Sequence, residues 1–182
     1  MRSADYQRLL NHVLNDGEFL PLINSPTMAA HRAEWRALIA EHAKRPPASS
    51  SEAENFHNHW HVCHHYLRKL VADETAVLNM LWVWLPRYKG SDLVLYRGEN
   101  WDRLEAGQLG IAWTDAIETA RIFAKGLNAT GKGGALVRAE APASAIIAGP
   151  STHSVYLGES EFTVDPRNLI ATEVLERFPA RD

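Results

Sequence analysis

The chain has 182 residues, 46% hydrophobic and 23% charged, and its 19 basic and 22 acidic side chains leave a formal charge of -3. This is an ordinary globular composition, with room for one domain-sized core and a helical annex. It excludes a general electrostatic attraction to nucleic acid or to an anionic membrane, and leaves only a local basic patch open.

The single cysteine, Cys63, rules out an intrachain disulfide and fits a reducing compartment. The opening MRSADYQRLLNHVLND has no apolar signal-peptide core, and the most apolar run, Ala76 to Leu85, is too short to span a bilayer. Synthesis in the cytoplasm with no membrane partner is therefore expected, and signal-independent export or delivery stays open.

The first half reads as helices. Ser3 can cap one that runs to about Asn15 and ends at Asp16-Gly17. Pro26-Thr27 opens a second, through Trp35, Leu38 and Ile39, which stops before Pro46-Pro47. Ser51 and Glu54 form a capping box for a third, whose apolar stripe is Phe56, Trp60, Cys63, Leu67 and Leu70. Asp73 interrupts that helix or begins a fourth, and TAVLNMLWVWL, apolar on all sides, reads as buried.

After Lys89-Gly90 the pattern changes to strands. DLVLYRG, GIAWT, ALVRAEAP, AIIAG, EFTVDP and LIATEVLERF are short apolar runs bounded by turn residues. DAIETARIFAKG is the one firm helix between them, with Asp115 and Glu118 as its N-terminal box and Gly126 as its stop. GKGG at 131–134 reads as a turn.

Five of the nine histidines fall in FHNHWHVCHHY, with His57, His61 and His65 along one helix flank. Spacing of this kind suits zinc, but the glutamate of a HEXXH motif is missing and Arg68 on the same flank repels a cation. A partly exposed polar flank is expected rather than a metal site. Cys63, on the apolar stripe, is expected to be a core thiol.

Three features in the second half point toward chemistry. Arg97 ends an apolar strand and offers a planar fork for phosphate, and Gly98 after it lets a ligand approach the backbone. Thr114 precedes a helix, where its hydroxyl either orients a catalytic side chain or shares the capping with Asp115. Glu159 and Glu161 open a strand, and strict alternation puts both, with Thr163, on one face turned to solvent or a cleft.

In this order, Arg97 in LYRG, Thr114 in GIAWTDA and Glu159-Ser160-Glu161 in GESEFTVDP resemble the ADP-ribosyltransferases of the arginine–serine–glutamate, cholera-toxin-like type. The resemblance covers roughly the second half of the chain. In the middle motif, Trp113 and Asp115 stand where the family carries serines. The implied architecture is a single α+β domain with an ADP-ribosyltransferase-like fold. Residues 1–86 would be its helical part, and residues 87–182 two small sheets around an NAD-binding cleft.

The implied activity is mono-ADP-ribosyl transfer from NAD, as substrate, to a protein acceptor, preferably at arginine, with no metal required. Glu161 would hold the nicotinamide ribose, and Arg97, Gly98 and Thr114 would belong to the NAD site. Glu159 would face the acceptor, and Tyr156 would present an aromatic ring to it or serve as a packing residue. The AKGLNATGKGG segment would cover bound NAD or act as an ordinary connection. NAD glycohydrolysis and a catalytically inactive binding domain stay open, as does a role as toxin or effector with an antitoxin or immunity protein.

Overall fold

In the computed structural model, which describes residues 32–181, the chain divides into two units, Met1–Pro86 and Arg87–Asp182. The expected helix from Ser3 and the Pro26-Thr27 start of the second lie outside the described residues. The described part contains six α-helices and one six-stranded antiparallel sheet, a mixed α and β architecture.

The first unit contains α1 (Arg32–His42), α2 (Ser50–Val71) and α3 (Glu74–Trp84). The cap of α2 lies two residues upstream of the expected box: Ser49 accepts a hydrogen bond from the Glu52 N–H, and the Glu52 carboxylate receives the Ala48 N–H. Both registers satisfy the same serine-to-glutamate spacing, and the earlier one gives the longer helix. Ala72, with φ of 47°, ends α2, and Asp73 begins a new helix by accepting from the Ala76 N–H at 3.0 Å.

Arg36 donates to the carbonyls of Val71 at 2.8 Å and Ala72 at 3.1 Å, placing a cation on the negative end of α2. Trp35, Trp60 and Trp84 are buried with Leu38, Leu67, Leu78 and Leu81. Cys63 belongs to this core, where burial pushes its thiol up to about 12.

The second unit carries β1 (Leu93–Asn100), α4 (Trp101–Glu105), β2 (Ala112–Thr114), α5 (Ile117–Lys125), β3 (Gly134–Ala141), β4 (Ile146–Ala148), α6 (Thr152–Tyr156), β5 (Glu161–Val164) and β6 (Ala171–Phe178). The sheet order is β4-β5-β2-β1-β3-β6. Leu95, Trp113, Val137, Ile146, Phe162 and Val164 form the main core on one side. On the other, Ala120 and Ala124 of α5 pack with Leu136, Tyr96 and Phe178.

The expectation of two small sheets is corrected to one. Its halves, β4-β5-β2 and β1-β3-β6, join through the single pair Tyr96–Thr114, whereas β1 and β3 align from Leu93–Ala141 to Asn100–Gly134. One pair is enough to make the sheet continuous, and no hydrophobic pattern announces it.

The start of α5 is also corrected. Its N-cap is Ala116, which makes no side-chain cap bond, and the Thr114 hydroxyl receives the Ala116 N–H at 3.1 Å. Glu118 pairs with Arg121 instead of closing a box. The Ala124–Gly134 connection is anchored to the end of β1: Asn100 donates to the carbonyls of Asn128 and Thr130, and Asn128 donates to the Gly98 carbonyl at 2.7 Å.

Among the described residues, no helix is long and apolar enough to cross a membrane. His57 departs from the expected exposed flank by being buried. Burial, then neighbouring His61, lowers its pKa to about 4.

Candidate functional site

Antiparallel partners project their side chains to the same side of a sheet. Tyr96 pairs with Thr114 and Thr114 with Glu161, so one row crosses β1, β2 and β5. Thr114 and Glu161, two of the expected site residues, are thus brought side by side. The Thr114 hydroxyl donates to the Glu159 backbone carbonyl at 2.9 Å while receiving the Ala116 N–H, so it ties the glutamate motif to the residue that precedes α5.

The glutamate motif itself departs from expectation. Ser160 has φ of 46°, a left-handed conformation uncommon outside glycine, and β5 starts only at Glu161. Regular strand geometry therefore begins only after Ser160, yet the Glu159 and Glu161 carboxylates still come together, with oxygens within 4.8 Å of each other. Thr163, expected on an open face, is 1% exposed, and the β5 side chains after Glu161 are all buried.

Sequence reasoning missed Ser154, which shapes this turn. It is fully buried on α6, its hydroxyl accepts the Glu161 N–H at 2.6 Å, and its carbonyl accepts the Glu159 N–H at 3.1 Å. Ser151 caps α6 by accepting from the Ser154 N–H at 3.1 Å. The available signal was Ser151-Thr152-His153-Ser154, a capping serine before a short helical turn. Tyr156 is 84% exposed at the end of α6, which excludes a packing role. Val155 and Leu157 beside it are exposed as well.

Arg97 lies elsewhere on β1. By alternation it belongs to the Leu95 and Glu99 side of that strand, opposite Tyr96, and among the described residues it makes no ion pair with Glu161. Its side chain is 14% exposed. Nε donates to Glu99 Oε2 at 2.8 Å and Nη1 to the Ala112 carbonyl at 2.6 Å.

Glu99, also missed, is 1% exposed. It accepts the Asn100 N–H at 2.9 Å and the Gly110 N–H at 2.7 Å, and Arg103 Nε lies 3.4 Å away. Burial alone would raise its pKa. The Arg97 charge and hydrogen bond, helped by the two backbone N–H groups, outweigh that and hold the carboxyl below the usual range.

Gly98 faces the other way. A Cβ there would run into the backbone of Ala120 and Ala124 on α5, so the close approach this glycine permits is that of a helix. A cavity of 490 Å³ opens at the C-terminal end of α5, lined by Ile122, Phe123, Leu127 and Arg181 among others, and none of the expected site residues lines it. Compared with protein-family models, with curated proteins and with solved structures, the chain matches none.

Proposed function

We propose that the second unit is a mono-ADP-ribosyltransferase that uses NAD as substrate and modifies a protein acceptor, preferably at arginine. The observation that carries this reading is the junction of Thr114, Glu159 and Glu161, locked by two serine and threonine hydroxyls at the start of β5. A carboxylate on a fixed strand start can stabilise the oxocarbenium-like ribose that forms as nicotinamide departs, more than it stabilises bound NAD.

In this reading Glu161 holds the ribose 2′-hydroxyl. The C1′–N bond breaks, its electron pair leaves with nicotinamide, and an acceptor nitrogen bonds to C1′. Glu159, with its carboxylate beside that of Glu161, takes the proton from the acceptor guanidinium. Arg97 lies on the other side of β1 from the Tyr96–Thr114–Glu161 row, so in this reading one dinucleotide reaches both by crossing the one-rung junction of β1 and β2, where the Arg97 side chain meets the Ala112 carbonyl.

A second reading, an ADP-ribosyltransferase-like binding domain without turnover, draws on one observation: Arg97 already has Nε and Nη1 engaged by Glu99 and Ala112. Nicotinamide release from NAD and labelling of protein separate the two. Glu161→Ala is expected to lower turnover at least ~10²-fold. Glu159→Ala is expected to keep NAD hydrolysis and lose protein modification. Equal, full activity in wild type, Arg97→Ala, Glu159→Ala and Glu161→Ala would refute the site, and no turnover in any of them favours the binding domain.

A further inference from the structure

We infer that Glu99 is a positioning residue that fixes the Arg97 guanidinium as a preset fork for the pyrophosphate of a dinucleotide, an inference that rests on the function proposed above. A pair of this kind on a strand end is ordinarily a surface ion pair of little consequence. Here the carboxylate is 1% exposed and accepts from Arg97, from its own strand at Asn100, and from the approach to β2 at Gly110. A buried ion pair is no more stabilising than an apolar pair of the same volume, so stability alone gives no reason to keep one. It does hold a planar group in one orientation.

Arg97 is constrained on three sides. Glu99 takes Nε, and the Ala112 carbonyl on the neighbouring strand takes Nη1. Gly110 lies flat against the guanidinium, where any Cβ would overlap Nη2 and Cζ. Among the described residues Nη2 has no hydrogen bond, so its donors remain for a phosphate oxygen. An arginine fixed beforehand loses little side-chain freedom on binding, which favours affinity without touching the reacting bond. Glu99 therefore governs KM for NAD and leaves the chemical step alone.

The test measures nicotinamide release over a range of NAD concentrations, with thermal melting of each protein. Glu99→Gln is expected to raise KM about tenfold or more and to change kcat less than about threefold. Placed in an Arg97→Ala background, the same substitution is expected to change KM less than about twofold, because the group it positions is gone. Gly110→Ala, which pushes the guanidinium from its other side, is expected to raise KM like Glu99→Gln.

An unchanged KM in Glu99→Gln, or effects of Glu99→Gln and Arg97→Ala that simply multiply, would overturn the inference while leaving NAD turnover by wild type intact. Should Glu99→Gln fail to fold, Gly110→Ala decides alone, and a native-like melt with unchanged KM overturns it. If wild type neither releases nicotinamide nor binds NAD in calorimetry, the proposed function and this inference fall together.

Discussion

Gly98 and Gly110 both flank Arg97 in structure yet serve different neighbours. Gly98 lets the α5 backbone press onto β1, and Gly110 makes room for the guanidinium. Side chains at the two positions should therefore fail differently. Gly98→Ala has rigid backbone to displace and is expected to lose about 1–3 kcal/mol of stability, read as a lower denaturation midpoint. Of the candidate site, the sequence made Arg97, Thr114, Glu159 and Glu161 legible, because the first two close apolar runs and the glutamates open one. Glu99 was not legible: its partner Gly110 is eleven positions along the chain, and a glutamate next to a strand end reads as surface. Ser160 was hidden for another reason, since serine carries no sequence signal for a positive φ.

At the level of elements, α6 and β5 act as one piece. The serine hydroxyl of Ser154 ends on the first backbone N–H of β5, so the short helix sets where the glutamate strand begins. Ser154→Ala leaves that N–H without its acceptor and is expected to cost about 1–3 kcal/mol. Nicotinamide release should fall with it, while KM for NAD stays near wild type, a split that kinetics on the purified variant would show. The strands and the long helices were readable from periodicity, since apolar runs between turn residues and stripes at three and four residues are local signals. The short α4 and α6 were not, because a single turn held by Asn100 or Ser151 carries too little pattern to stand out. The shift of the α2 cap from Ser51 to Ser49 has the same origin: two identical local signals compete, and helix length chooses.

Across the whole molecule, the two units respond to different conditions. His57 in the first is buried neutral, with its pKa lowered from 6.5 to about 4 by burial and then by His61. The unfolded chain binds that proton more readily, so the contribution of neutral His57 is fully present above about pH 6.5 and is lost as pH falls toward 4; it amounts to about 3 kcal/mol. Melting of wild type is therefore expected to fall between about pH 7 and pH 5, and His57→Gln to flatten part of that decline; His42 and His65, shifted in the same direction, add to it. In the second unit the weak point is the sheet itself. Where β1 meets β2 the ladder has one rung, and the Arg97 side chain, reaching from β1 to the Ala112 carbonyl, bridges the two strands beside it. A dinucleotide bound at Nη2, as proposed, would leave that bridge closed and add to it, so occupancy and the stiffness of the sheet would be one linked equilibrium.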